Sequence, residues 1–273
     1  MLTVGVRAHD YIKDSPELLF SRISNDGYKA VMLAFQKAIL GIESYYDVTD
    51  QVIKNVKQAI EKNNLNINTL GVYMELGMVD ENKRQSAVDE FLQGIKVAKK
   101  MNVANVATET TPFHKQPDVT SSQALKSLYR SIEQILPTAE QLNIKICVEP
   151  VYYHTLSSPE LAKQLISDFN SKYLQITFDA VNLFEPKYKN NQKDLWDKCF
   201  DLFGDNIQVV HMKGITIEDE KLKKCGFSQS IIDYEYIFKQ LKSLNRDLHI
   251  IREEADNKNG KFERAFLEEL CKL

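Results

Sequence analysis

Two hydrophobic rhythms alternate along the chain. Short runs rich in β-branched and aliphatic residues occupy 2–7, 28–34, 67–73, 103–109, 144–149, 174–179, 207–213 and 248–253. Their nearly continuous apolar character predicts strands buried on both faces. Between them lie longer stretches whose apolar positions recur every three or four residues, the signature of amphipathic helices. Val52, Val56, Ala59 and Ile60 mark one such face behind a Thr49 cap, and Val88, Phe91, Leu92, Ile95 and Ala98 mark another. Leu125, Leu128, Ile132 and Ile135 form a third, opened by Ser121 or Ser122; Ala139 and Leu142 continue it, so Pro137 is expected to kink that helix rather than end it. Ser15-Pro16-Glu17 and Ser158-Pro159-Glu160 repeat one start signal, a hydroxyl cap, a proline at the first helical position and an acid in the first turn. Further faces carry Leu195, Cys199 and Leu202, then, after a polar, glycine-containing loop, Ile237, Phe238, Leu241 and Leu244, and finally Phe262, Phe266 and Leu270.

Strand followed by helix, repeated without a linker, predicts a parallel sheet covered by helices. Eight strands at intervals of about 25 to 40 residues match a single (β/α)8 barrel, one domain over residues 1–273. The competing architecture, a doubly wound open sheet, is disfavoured because no G-x-G-x-x-G follows the first strand.

In a parallel barrel the strand ends converge, and here they carry reactive groups. Four consecutive strands, the fifth to the eighth, end on Glu149, Asp179, His211 with Lys213, and Glu253-Glu254; Glu109 ends the fourth, and Arg7 ends the first with His9 just beyond. Taken singly, each has a plain structural reading: Asp179 as an Asx-turn residue, Glu149 as a surface carboxylate, His211 as a hydrogen-bonded core histidine. Together, three converging carboxylates repel one another unless one takes up a proton or a cation sits among them, and a divalent metal removes the difficulty. Adjacent strand residues face opposite ways, so one of Glu253 and Glu254 reaches the barrel axis, and Glu253 is taken as that residue.

Composition narrows the reading further. With 273 residues, 43% of them hydrophobic, the chain has the material for a large core. Its net charge of −3 argues against a nucleic-acid-binding protein, and pairs such as Lys99-Lys100 read as solvated faces. Cys147, Cys199, Cys225 and Cys271 form no C-x-x-C pair and give no zinc-finger or redox signal. No apolar run approaches the ~18 residues of a membrane span, and the first strand begins at Leu2 with no secretory signal before it, so a cytoplasmic protein with reduced thiols is expected.

The stretches Arg7-Ala-His-Asp10, Glu149-Pro-Val-Tyr-Tyr-His-Thr155, Phe178-Asp-Ala-Val-Asn-Leu183, Val210-His-Met-Lys213 and Ile232-Asp-Tyr234 resemble the sugar phosphate isomerase/epimerase family, the xylose-isomerase-like TIM barrels, over essentially the whole chain. The resemblance implies one divalent ion (Mn, Mg, Co or Zn) held by Glu149, Asp179, His211 and Glu253, a donor set of hard oxygens and one imidazole that suits such ions. It implies an isomerase or epimerase acting on a keto sugar or sugar phosphate through an enediolate, with Glu149 and Glu253 as the acid/base pair. His9, Glu109 and His154 are then candidates to hold sugar hydroxyls, Arg7 and Lys213 to meet a phosphate or enediolate oxygen, and Tyr73, Phe113 and Trp196 to wall the pocket. Asn182, also counted with the substrate-binding candidates, stands where many of these epimerases have a histidine. Gly214 stands where relatives often have an aspartate and Ile217 where many have an arginine, so the substrate is expected to differ from theirs. A keto-inositol-type dehydratase on the same metal site and a non-catalytic sugar-binding relative are the alternatives; an apurinic endonuclease needs more histidines than the five present. Membrane partners are not expected, and a homo-oligomer is in keeping with the family.

Overall fold

The computed structural model describes residues 1–254 and 260–273. Its strands are β1 (Leu2–Arg7), β2 (Ala30–Leu33), β3 (Asn66–Gly71), β4 (Asn105–Glu109), β5 (Lys145–Glu149), β6 (Leu174–Asp179), β7 (Ile207–Met212), β8 (Gly214–Glu218), β9 (Lys221–Cys225) and β10 (Leu248–Arg252). Eight of them are parallel and close a ring in the order β1-β10-β7-β6-β5-β4-β3-β2, while β8 and β9 pair only with each other. The chain is therefore a (β/α)8 barrel, as its strand count and spacing predict.

The helices are α1 (Pro16–Asn25), α2 (Phe35–Ala38), α3 (Asp50–Lys62), α4 (Glu81–Met101), α5 (Ser121–Leu142), α6 (Pro159–Phe169), α7 (Ala180–Leu183), α8 (Gln192–Phe203), α9 (Tyr234–Ser243) and α10 (Gly260–Leu270). Local chemistry sets their ends. Ser15, Thr49 and Ser158 accept hydrogen bonds from Leu18, Val52 and Leu161 amides at the starts of α1, α3 and α6. Helix α5 is capped one residue earlier than expected, by Thr120 in a reciprocal box with Gln123, and it runs through Pro137 to Leu142. Asn102, Asn143 and Asn170 end α4, α5 and α6 in the left-handed conformation that asparagine tolerates better than most residues.

The period of two along each strand decides what faces the axis. A small cluster of Met32, Ala107, Cys147, Val209 and Ile251 forms its own core inside the ring, apart from the main core between sheet and helices. Two residues beyond Ala107, Cys147, Val209 and Ile251 stand Glu109, Glu149, His211 and Glu253. The alternation that buries an aliphatic plug thus delivers four polar groups to the layer above it. Trp196 belongs to the other core: it is fully buried against Phe178 and Phe184, each with its ring centroid 6.2 Å away, so it packs helix to sheet and does not wall a pocket.

The segment after β7, read from sequence as a polar loop, is a hairpin. Gly214 pairs with Cys225 and Glu218 with Lys221, and the two turn residues Asp219 and Glu220 both have positive φ, 48° and 60°. That is the handedness a two-residue hairpin turn needs; Asn-Gly or Asp-Gly is its usual sequence sign, and Asp-Glu carries none. Ile215 and Ile217 face the core and give the hairpin its alternation.

Candidate active site at the barrel mouth

Register brings the candidate residues together in pairs. Glu109 lies beside Glu149 across β4 and β5, and Asp179 beside His211 across β6 and β7. One ligand atom each from Glu149, Asp179 and His211 lie within 4.8 Å of one another, all three residues buried. His211 Nδ1 stands 3.0 Å from Glu149 Oε2 and 3.1 Å from Glu253 Oε1, so two carboxylates flank one imidazole nitrogen. Its Nε2 is 3.3 Å from Met32 Sδ.

Asp179 divides its two oxygens. Oδ1 accepts the amides of Val181 (2.8 Å) and Asn182 (3.1 Å) and so caps α7, which is the Asx-type role considered above. Oδ2 faces the site, 2.8 Å from Lys213 Nζ. Asn182 turns back from α7 to donate through Nδ2 to Glu149 Oε1 (2.5 Å). The sequence singled out both residues, and one short helix accounts for their placement.

Charge compensation comes partly from the protein itself. Lys213 Nζ donates to Glu253 Oε2 at 3.0 Å while touching Asp179, and Arg7 reaches Glu253 Oε1 at 3.0 Å while holding Asp10. The repulsion that argued for a metal is thus relieved in part by two fixed cations. Burial alone raises a carboxyl pKa, yet His211, Lys213 and Arg7 outweigh it at Glu253 and hold that group well below the usual carboxylate range. Burial wins at Asp179, pushed up to about 6, and at Glu109, pushed up to about 7 beside Glu149 and Glu253. Burial disfavours the imidazolium at His211 too, but Glu253 and Glu149 reverse the sign and lift it to about 9.

The donor set fits a divalent ion. Asp179 Oδ2 and His211 Nδ1 are buried polar atoms held by ion-pair contacts, to Lys213 and to Glu149 and Glu253, that lack hydrogen-bond geometry, and they belong to the trio whose atoms converge. Two carboxylates and an imidazole suit hard or borderline cations. Glu149, Asp179 and His211 form a group able to hold a metal ion. Glu253 adjoins them but is engaged by Lys213 and Arg7. Glu254 points elsewhere and pairs with Lys224 of β9 at 2.5 Å.

The outer ring is less uniform. His154 is buried 3.9 Å from Glu109, and burial lowers its pKa to about 4, so it is neutral at pH 7. His9 packs edge-on to Tyr73 at 5.9 Å, and Lys37 sits 3.8 Å over the same Tyr73 ring. Phe113 lies at the rim, its amide bonded to the Tyr153 carbonyl. Tyr234 of the Ile232-Asp-Tyr234 stretch donates to the Lys213 carbonyl at 2.8 Å and so fixes the strand end that carries Lys213. A cleft of about 200 Å³ adjoins the cluster through Asn182 and Lys213, and Tyr152, Tyr153, Leu222 and Lys224 also line it. Sequence reading missed Met32, Lys37 and the hairpin's contribution. Met32 shows period two with no polar mark, Lys37 sits on a four-residue helix, and the hairpin lacks its turn signal.

Partly buried His9 makes stability depend on pH. Burial, then Arg7 and Lys37, lower its pKa to about 2, against about 6.5 in an unfolded chain. The unfolded state therefore binds the extra proton: the contribution is complete above pH 6.5 and is lost as pH falls toward 2, at up to about 1.4 kcal/mol per pH unit. Urea unfolding at pH 7, 6 and 5 is expected to give His9→Asn a shallower decline than the unsubstituted chain; parallel declines would remove His9 from the account.

The model of one family, described as xylose isomerase-like TIM barrel, matches residues 20–270. Among solved structures, a D-tagatose 3-epimerase-like protein superposes with a TM-score of 0.79 at 17% identity, covering 99% of this chain and 97% of that one. A mannonate dehydratase from Streptococcus suis serotype 2 does so with a TM-score of 0.79 at 12% identity, covering 99% and 94%. The IolI protein with a binding zinc atom gives 0.74 at 14%, covering 98% and 96%. No curated protein matches the sequence. At such identities the superpositions show a shared fold, and no helix among the described residues is long and apolar enough to cross a membrane. With the family match spanning nearly the whole of a closed eight-stranded parallel ring, the chain belongs to the xylose isomerase-like TIM barrels.

Proposed function

We propose that the chain is a divalent-metal-dependent isomerase or epimerase acting on a keto sugar or sugar phosphate. The observation that carries this reading is the placement of Glu149 and Glu253 against one atom, His211 Nδ1, at 3.0 and 3.1 Å, beside a cleft that Asn182 and Lys213 line. Two carboxylates flanking one buried point are what moving a proton on and off a carbon requires. Support also comes from the donor chemistry of Glu149, Asp179 and His211, and from a fold shared with an epimerase-like protein, a dehydratase and a zinc-bound protein.

A bound Mn²⁺, Mg²⁺, Co²⁺ or Zn²⁺ would supply Lewis-acid polarisation of the substrate carbonyl. The remaining work falls to the side chains. One of Glu149 and Glu253 removes the proton from the carbon beside the carbonyl, and the other returns it. Return to the opposite face of the same carbon epimerises; return to the neighbouring carbon isomerises. Asn182 fixes the Glu149 carboxylate by its 2.5 Å bond, so that group meets the carbon in one orientation. Arg7 and Lys213 are proposed to meet a phosphate or an enediolate oxygen with positive charge. Glu109, His9 and His154 are proposed to hold hydroxyls, the two imidazoles in their neutral form.

Incubating the purified protein with keto sugars and their phosphates in D₂O, with Mn²⁺ present, tests this directly. Deuterium is expected beside the carbonyl with no loss of water. Loss of water would assign the dehydratase chemistry instead, and no exchange with any member of the panel would leave a sugar-binding protein without turnover.

A further inference from the structure

The cation already inside the cluster is the least expected feature of the site. Lys213 Nζ bridges Asp179 Oδ2 (2.8 Å) and Glu253 Oε2 (3.0 Å), and the residue is only 9% exposed. Beside the bridge, ligand atoms of Glu149, Asp179 and His211 lie within 4.8 Å of one another, and among the described residues Glu253 joins no such group. Glu253 is also held by Arg7 at 3.0 Å. Glu149, Asp179 and Glu253 thus already face Lys213 and Arg7, with the His211 imidazole among them. A divalent ion adds two more positive charges. It would also sit within a few ångströms of an ammonium that shares its Asp179 oxygen, where like charges repel strongly in a water-poor setting.

We infer that Lys213 is the resident counter-ion of the metal-free centre, and that it must swing off Asp179 toward the cleft before a divalent ion is held there. The inference rests on the metal site proposed above. The side chain has somewhere to go, because Lys213 already lines the cleft that Tyr152, Tyr153 and Asn182 border. Its backbone does not need to move, since the Tyr234 hydroxyl pins the Lys213 carbonyl at 2.8 Å. Displacement has a functional consequence: the freed ammonium is presented at the mouth of the cleft, where it meets an anionic group on an incoming sugar. Metal loading and readiness for an anionic substrate are then one event.

Calorimetric titration of the metal-free protein with Co²⁺ and Zn²⁺ tests the competition without reference to turnover. Lys213→Met is expected to bind either ion at least tenfold more tightly than the unsubstituted chain, and Lys213→Arg, which keeps the charge, no more tightly. Equal or weaker binding by Lys213→Met overturns the inference while leaving the metal site and the enzyme reading intact. Absence of binding by every form overturns both. Should Lys213→Met not fold, a Zn²⁺-loaded crystal of the unsubstituted protein decides the matter. The expected result is a Lys213 ammonium out of hydrogen-bonding reach of Asp179 Oδ2, and persistence of the 2.8 Å contact beside a bound ion overturns the inference.

Discussion

Glu149→Gln leaves the barrel folded and lowers hydrogen–deuterium exchange at the substrate carbon by about 10²- to 10⁴-fold, the range expected for loss of a positioned acid or base. The substitution preserves volume, and the amide oxygen still accepts the hydrogen bond from Asn182 Nδ2 that Glu149 Oε1 accepts at 2.5 Å. Packing around the fully buried position is therefore kept. What disappears is a charge: His211 loses one of the two carboxylates that lift its pKa to about 9, and the converging trio loses an anionic ligand. Thermal unfolding within a few degrees of the unsubstituted chain, together with weakened metal binding, would complete the pattern. Retained exchange would remove Glu149 from the chemistry, whatever its stability effect.

Gly214→Ala has the second largest expected effect, and it acts through the backbone. A Cβ at Gly214 would lie 2.4 Å from the Cys225 carbonyl oxygen and 2.9 Å from that of Gly226, and neither atom belongs to a side chain that can rotate away. The antiparallel pair that joins Gly214 to Cys225 must open for the methyl to fit. The expected cost is about 1–3 kcal/mol, as for other overpacked sites, read as a lower urea midpoint with an unchanged slope. The same opening moves Leu222 and Lys224 at the cleft and breaks the contact of Lys224 with Glu254, so KM is expected to rise more than kcat falls. Unchanged stability would show that the hairpin is looser than its pairing implies. The clash gives a physical reason for glycine at this position: the hairpin leaves no room for a side chain.

The fold was legible because two independent rhythms agreed. Strands from β1 to β10 that belong to the ring were visible as apolar runs, and helix starts such as Ser15-Pro16 and Ser158-Pro159 carry capping chemistry that depends on a few adjacent residues. The gathering of Glu149, Asp179, His211 and Glu253 followed from the same logic, since parallel strands align their ends and a period of two aims alternate residues inward. What escaped sequence reading lacks a local signal. The hairpin turn uses Asp219-Glu220 in a conformation for which glycine is the usual mark. Trp196 looked like a candidate for the pocket because aromatic residues near helix and strand ends can face either a pocket or the core, and only tertiary packing against Phe178 and Phe184 places it in the core. The bridging of Asp179 and Glu253 by Lys213 depends on distances between three strand ends that no spacing rule contains.

Diffraction from crystals grown with Mn²⁺, recorded across the manganese absorption edge, bears most directly on the assignment of the barrel mouth as a metal centre. A single anomalous peak bonded to Glu149, Asp179 and His211 is the predicted result. A map with no peak there at saturating Mn²⁺, or with its strongest peak on another face of the barrel, would contradict it.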